Sequence, residues 1–398
     1  MRPSGPIGRA VSYFDRVCPP EDTVARLRPH LAELGITRVA RQTGLDTIGI
    51  PCFSAVRPNA VSLAVSQGKG LTDAAATASA IMEAAEFAIA ERAPEPAWFG
   101  PADSLEVMQA AWFDPSRLLR FGERFDPAKP INWVAGRGLF SGRPVLIPRD
   151  VVRLDGRAPD LPGVSQGTNG LASGNTTEEA QFHGVCELIE RDATTLWSLL
   201  PPAQQRRRAV APASFGDWAV DDLAQRIRAA GLQLALFDLT SDIAVPTILA
   251  LVGSNSSWRY FETASGTGTH PVPARAAVRA ITEAAQSRLT AIAGARDDIV
   301  NSQYGANPDD RVSDLLAAPA VARPPAGLGV GTPLYIAADF ARRALSNAGV
   351  SEPVEIALGG ERYGIAVIRL VSSVLEDREA NSNWRPGARA VTVLDVAA

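Results

Sequence analysis

Cysteine, histidine and methionine occur only three times each in 398 residues, and aromatic side chains make up 6% of the chain. Cys18, Cys52 and Cys186 are too few and too scattered for a disulfide framework, and no pair has the close spacing of a zinc site. They fit a reducing compartment, so a cytoplasmic protein is expected. Neither sign of charge dominates, since 39 basic against 43 acidic residues leave a net charge of −4. That balance gives no global basic field for sequence-independent nucleic-acid binding, and no nucleic-acid partner is expected. No run of about 18 uninterrupted apolar residues occurs, and the opening MRPSGPIGRAVSYFDR has no apolar core of signal-peptide length. Neither a membrane span nor export is expected. The common nucleotide signatures are missing too: SQGKG at 66–70 lacks the spacing and the closing Ser or Thr of a P-loop, and no GxGxxG opens a helix.

What is present is a globular composition, 46% hydrophobic and 21% charged, in a length that suits one large composite domain or two ordinary ones. Apolar residues at helical spacing predict helices over 21–34, 72–92, 177–200, 218–230 and 273–292. Gly35 stops the first before the β-branched run 36–39, and β-type runs occupy 48–65, interrupted by Pro51 and Pro58. The stretch 94–162 is rich in Pro, Gly and aromatics and predicts short hairpins. LQLALFDLT and PTILALV read as buried strands, and EPVEIALGGERYGIAVIRLV as a late hairpin closing the fold. The segment 308–326, with AAPAVARPPAG inside it, is expected to be a flexible loop. Helices and strands mix without a βαβ rhythm, which predicts an α+β fold with mixed sheets. Residues 1–60 form a helix and strand segment that joins 61–398 in one composite domain.

Three of these helices are copies of one unit. Registering them on glutamates aligns Glu83 with Glu187 and Glu283, at offsets of 104 and 96, and the next turn aligns Glu86, Glu190 and Gln286. The same register stacks Ala76, Ala180 and Ala276, then Ala80, Gly184 and Ala280, and it places Gly70 over Gly174 ahead of two helices. An alanine-rich chain repeats small residues by chance, but not carboxylates in register with them. Residues three or four apart share a helix face, so Glu83 with Glu86, and Glu187 with Glu190, each form a stripe. Glu179 lies eleven residues before Glu190 and returns near the same angle, while Arg279, Glu283 and Gln286 form the third stripe.

These stripes sit among alanines, isoleucines and leucines, where unpaired carboxylates are costly. Five or more glutamates facing one another need cations, and all-oxygen ligands suit hard ions such as magnesium or calcium. A nucleotide triphosphate completes such a site, with Arg191 and Arg279 as countercharge to phosphate oxygens.

SQGKGLTDAAATASAIMEAAE, SGNTTEEAQFHGVCELIERDA and SGTGTHPVPARAAVRAITEAAQSR resemble, in order, the three signature segments of the YcaO superfamily. That resemblance implies an enzyme that uses ATP and Mg2+ to phosphorylate the amide oxygen of a peptide backbone after a nucleophile attacks, giving an azoline, thioamide or amidine. Carried over by motif, Ser79, Asn175, Glu179, Arg191 and Arg279 contact nucleotide, and Glu83, Glu86, Glu187, Glu190 and Glu283 hold magnesium. DTVARL is similar to the family's adenosine-side helix and nominates Thr23 and Arg16. TGLDTIGIP, continuing into RPNA and SQGKG, resembles the subgroup encoded beside a TfuA partner, which is associated with thioamidation. The resemblance therefore implies a peptide or protein substrate and a TfuA-like partner, and it leaves a homodimer open.

The end VTVLDVAA lacks the alternating-proline tail of many azoline-forming members, which argues against a standalone cyclodehydratase, and no leader-recognition domain is read before the first signature. Competing readings are azoline formation and a non-catalytic accessory protein that binds peptide or partner. Other features carry plainer readings. Arg191 stands one turn from Glu187, and Arg279 one turn from Glu283, at salt-bridge spacing. His183 and His270 are assigned structural hydrogen bonds, Cys186 a core position, and the tryptophans packing roles. No residue is nominated as catalytic base.

Overall fold

In the computed structural model, which describes residues 16–397 apart from 93, 156, 158, 165, 255–262, 295, 297–309 and 379–383, three long helices each grow out of an edge strand of a different sheet. Helix α1 (Pro20–Leu27) gives way to a 3-10 turn over Arg28–His30, where Pro29 has no N–H to extend the α-helical ladder. Strands β1 (Arg38–Arg41), β2 (Cys52–Val56) and β3 (Val65–Lys69) form an antiparallel sheet in that order, and β3 leads into α2 (Asp73–Ala90). The larger sheet runs β4 (Trp98–Gly100), β5 (Ile131–Gly138), β12 (Val354–Gly359), β13 (Ala366–Val371), β7 (Leu171–Gly174), with β6 (Pro144–Pro148) also paired to β5. Short helices α3 (Ala102–Val107) and α4 (Arg149–Val152) flank it, and β7 leads into α5 (Thr177–Ser198). After α6 (Pro202–Arg206), the third sheet runs β11 (Ala264–Thr269), β10 (Thr247–Gly253), β9 (Gln233–Asp238), β8 (Ala209–Val210), with α7 (Trp218–Ala229) beside it. Its edge strand β11 leads into α8 (Pro273–Ala293). Helices α9 (Asp310–Leu316), α10 (Leu334–Asn347) and α11 (Ala388–Ala397) complete the chain.

The α+β reading holds. The predicted late hairpin is β12–β13, but it pairs with β5 and β7 and so lies in the middle of its sheet rather than at an edge. The expectation of a flexible loop over 308–326 is corrected at 310–316. Residues 310–316 are the helix α9, and Leu315 and Leu316 are buried against Trp197, Phe237, Leu249 and Leu251. The helix is too short for its periodicity to stand out from its Ala- and Pro-rich surroundings. Residues 308 and 309 lie outside the described residues.

Each strand–helix unit has its own core. Leu27, Leu34 and Ile36 of the N-terminal segment pack with Ile81, Phe87 and Ile89 of α2. Residues of α5 pack with Ala337, Ala341 and Leu345 of α10, and those of α8 with β10 and α7. Fully burying a leucine such as Leu27 stabilises the fold by about 2 kcal/mol, so the N-terminal segment is anchored to the rest by its own core residues.

The three units close into a ring. Besides lying on its own strand, α2 touches β7, α5 touches β11 and α8 touches β3. Glycine permits the close packing. A Cβ on Gly68 would stand 2.8 Å from Ala80 Cα, and one on Gly268 would stand 2.7 Å from Ala280 N, both too close for any side chain. The helices begin on prepared ends: the Thr72 and Thr176 hydroxyls accept from Ala75 N and Glu179 N, and Pro273 occupies the first turn of α8.

Candidate nucleotide and metal site

The five glutamates singled out as metal ligands lie on α2, α5 and α8 within electrostatic reach of one another. Glu83 accepts from Gln67 N at 2.7 Å, and Glu283 accepts from Thr267 N at 3.3 Å, each from its own strand. Other bonds cross between units. Glu86 of α2 accepts from Ser173 of β7, Glu190 of α5 accepts from Thr267 Oγ1 of β11 at 3.1 Å, and Glu283 of α8 accepts from Lys69 Nζ of β3 at 2.5 Å. The hydrogen bonds thus follow the direction of the ring.

Electrostatically the carboxylates also form a circuit: Glu83 feels Glu283, Glu190 feels Glu283, Glu187 feels Glu190, and Glu86 feels both Glu187 and Glu83. Burial raises the Glu83 carboxyl, although Gln67 N–H and Lys69 pull the other way. Burial lifts Glu86 well above the ordinary carboxylate range, with Glu187 and Glu83 adding to the rise. Glu187 is pushed up to about 7 by burial, against the pull of Arg191, and Glu190 is raised by burial and by Glu283. Glu283 is the exception. Burial works to raise it as well, but the Lys69 ammonium beside it holds it below its usual value.

The nucleotide candidates fall into two groups. Around the N-terminus of α5, Thr23 Oγ1 donates to Asn175 Oδ1 at 2.9 Å, and Asn175 N donates to Glu179 Oε2 at 2.8 Å. Arg16 pairs with Glu179 at 3.2 Å, and Glu179 is only 1% exposed. Glu179 is therefore tied to this cluster rather than to the carboxylate circuit, despite its helical angle. Arg191 lies 3.9 Å from Glu187, the salt bridge its spacing predicts. Arg279 acts on Glu190 and on His183, while Ser79 lies half-buried one turn before Glu83 on α2. Ser79, His183 and Arg279 are the same position of the three units.

The plainer readings also find their places. His270 Nδ1 accepts from Val272 N at 2.9 Å in a buried turn. Cys186 lies in the α5 core, and Trp133 stacks edge-on against Trp112. Burial, then the charges of Arg279, Arg16 and Lys69, push the His183 ring well below its ordinary pKa, and the ring bonds to the Ser173 backbone.

Sequence reasoning missed four contributors. Lys69 was passed over because SQGKG is not a P-loop. Arg26, whose Nη1 donates to Asn175 Oδ1 at 3.0 Å, stands inside the DTVARL motif, where only Thr23 is nominated. Arg369 and Asp377 both act on Glu187, and nothing in the local sequence marks either.

Among the described residues, no three His, Cys, Asp or Glu side chains stand together as a ready cage for a metal. Magnesium keeps waters and is bound by one or two carboxylates plus substrate phosphates. Two buried groups beside the carboxylates, Arg279 Nε and Gln286 Oε1, have no protein partner. An anionic ligand with its hydrated cation satisfies such groups, so the residues present fit a magnesium nucleotide.

Comparison with known proteins agrees. The family model described as YcaO cyclodehydratase, ATP- and Mg2+-binding, matches residues 67–359, and the chain belongs to the YcaO family. An uncharacterized protein in the tfuA 3′ region of Rhizobium leguminosarum bv. trifolii is 45% identical over 291 residues, covering 72% of this chain and 69% of that one. An uncharacterized protein of Methanothermobacter thermautotrophicus is 37% identical over 289 residues, covering 72% and 73%. Among solved structures, a heterocyclase in complex with substrate and cofactor superposes with a TM-score of 0.77 at 22% identity over 96% of this chain. The chain spans 56% of the length of that heterocyclase. YcaO from Methanopyrus kandleri bound with AMPPCP and Mg2+ gives a TM-score of 0.70 at 21% identity, covering 93% of this chain and 94% of that one. At such identities the structural likeness shows the fold. ATP and Mg2+ are the family's cofactors, as the sequence resemblance implied, and among the described residues no helix is long and apolar enough to cross a membrane.

Proposed function

We propose that this protein activates a peptide backbone amide by O-phosphorylation, for thioamide formation in a ribosomally made peptide or a protein, together with a TfuA-like partner. The observation that carries the reading is the closed circuit of five carboxylates, two of them buried and three half-buried, together with the Thr23–Asn175–Glu179 cluster. Glu83, Glu86, Glu187, Glu190 and Glu283 are assigned to magnesium. Arg16, Thr23, Ser79, Asn175, Glu179, Arg191 and Arg279 are assigned to the nucleotide. Bound Mg–ATP supplies the phosphoryl group that makes the amide oxygen a leaving group.

The protein's own contribution is placement. Alanine-lined helices leave the carboxylates only partly open to solvent, which strengthens their hold on a hard cation. Arg191 and Arg279 offer donors to phosphate oxygens, and the Thr23–Asn175 bond fixes α1 against the start of α5. Burial pushes the Cys52 thiol up to about 12, and Cys186 is buried in the core, so neither suits a sulfur carrier. The half-buried Cys18 lies 3.5 Å from Thr23 Oγ1 beside the residues assigned to the nucleotide, so a separate sulfur donor is assigned, and the tfuA-region relative supports a TfuA-like protein as the partner.

Azoline formation is the second reading, favoured by the cyclodehydratase in the family description and by the similar heterocyclase fold. Mass spectrometry of the modified peptide separates them: oxygen exchanged for sulfur in one case, loss of water in the other. The shared premise is tested by calorimetry. Mg-dependent ATP binding is expected in the wild type and should fall about a hundredfold or more in Glu83→Gln and Glu190→Gln. Unchanged affinity in both folded variants would remove the metal assignment.

A further inference from the structure

We propose that Lys69 is a phosphate ligand held in reserve. It neutralises Glu283 while the carboxylates are without a metal, and it turns onto the terminal phosphate of the nucleotide when a divalent cation takes its place. The inference rests on the nucleotide reading above and names a residue that reading does not use.

Position comes first. Lys69 ends β3 between Gly68 and Gly70, and its counterparts in the other two units are Ser173 and Thr269, which carry no charge. Only the first unit therefore carries a cation at this strand position. Its Nζ lies 2.5 Å from Glu283 Oε2, while the other oxygen of Glu283 takes the Thr267 N–H. The two side chains are 25% and 28% exposed, so a ligand can reach the pair.

Residue type comes second. Of 39 basic residues only two are lysines, Lys69 and Lys129, and Lys129 is an exposed residue that donates to the Asp160 carbonyl. Arginine serves nearly every ion pair here. A guanidinium in this place would grip the carboxylate with a planar fork, whereas an ammonium is a compact charge on a flexible stem that exchanges one oxygen for another.

Charge then dictates the movement. A divalent ion and an ammonium repel each other strongly at one carboxylate, so a metal on Glu283 displaces Lys69. The displaced ammonium remains within a stem's length of the carboxylates, and the phosphate oxygens that arrive with the ion are the uncommitted negative charge there.

The test is calorimetry of the full chain with three probes: Mg2+ alone, Mg–ADP, and a Mg-bound nonhydrolysable ATP analogue. In Lys69→Met, Mg2+ alone should bind more tightly, because a competing cation is gone. The preference for triphosphate over diphosphate should fall about tenfold, the scale of one charge-assisted hydrogen bond. Lys69→Arg, which keeps the charge, should fall between the two proteins. Tighter Mg2+ binding with the triphosphate preference intact makes Lys69 a counter-ion only and overturns the proposal. A wild type that binds neither nucleotide sinks the underlying function instead, so the two failures are distinct. Thermal unfolding of each variant confirms that the folded protein is being titrated.

Discussion

The first and third units solve the strand–helix crossing one way, and the middle unit solves it the other. In the outer pair the strand supplies glycine and the helix alanine: Gly68 against Ala80, and Gly268 against Ala280. In the middle unit the strand has Ala172 and the helix has Gly184, with a Cβ on Gly184 placed 3.4 Å from Ala172 Cβ and 3.0 Å from Leu370 Cδ1. One methyl group fits at each crossing, and it does not matter which element carries it. The requirement is on the sum of two residues, a constraint that close packing imposes and single-position inspection hides.

Breaking the outer crossing is expected to have the largest effect. Gly68→Val places a branched side chain against the α2 backbone, which cannot give way, and should cost about 3 kcal/mol or more in urea unfolding. Gly184→Ala meets a side chain that can shift, and about 1 kcal/mol is expected. Adding Ala172→Gly to Gly184→Ala rebuilds the outer pattern and should recover part of that loss. Recovery absent in the double variant would mean the two positions do not share one space.

The carboxylates separate the units next. In the metal-free protein Glu83, Glu86, Glu187 and Glu190 have folded-state values above those of the unfolded chain, so the folded state holds extra protons in that window. Their contribution therefore falls as pH rises from the unfolded value of 4.5 through about 7 for Glu187. Glu283 has the opposite sign, stabilising above 4.5 and losing that contribution as pH drops through its lowered value. Glu187→Gln should flatten the decline above pH 4.5 by on the order of 2 kcal/mol, and saturating Mg2+ with nucleotide should remove most of it. Melting temperature against pH, with and without Mg–ATP, reads both effects.

The smallest contrast lies at the helix starts. Thr72→Ala and Thr176→Ala each remove a capping hydroxyl and should cost about 1 kcal/mol. Only Thr176→Ala should also weaken nucleotide binding, because the capped N–H belongs to Glu179. Equal nucleotide affinity in the two variants would detach Glu179 from the nucleotide cluster.

How legible was this in the sequence? The three helices and their glutamates were readable because helical period, small residues and carboxylates recur in one register. The assignment of Thr23 and Asn175 to one cluster came from family resemblance alone, since 152 residues separate them. Lys69 lay in plain view, but its role depends on a partner 214 residues away. Arg369 sits in an apolar strand whose central place in its sheet is set by pairing with β7, and strand order leaves no local trace. Glu179 shows the limit of angle alone: it points the right way but sits two turns too early to join the circuit.

The ring also has a meaning in chain connectivity. Its closing contact, Lys69 with Glu283, joins positions 214 residues apart, and no covalent link shares that task among the described residues. A cation held, as proposed above, by carboxylates from the first and last units would be a removable clasp on a very long loop. The entropy of closing such a loop grows only with the logarithm of its length, and the Arg288–Asp46 ion pair and the Thr290–Gln67 hydrogen bond already share that closure, so the ion would tighten a loop that side chains have closed.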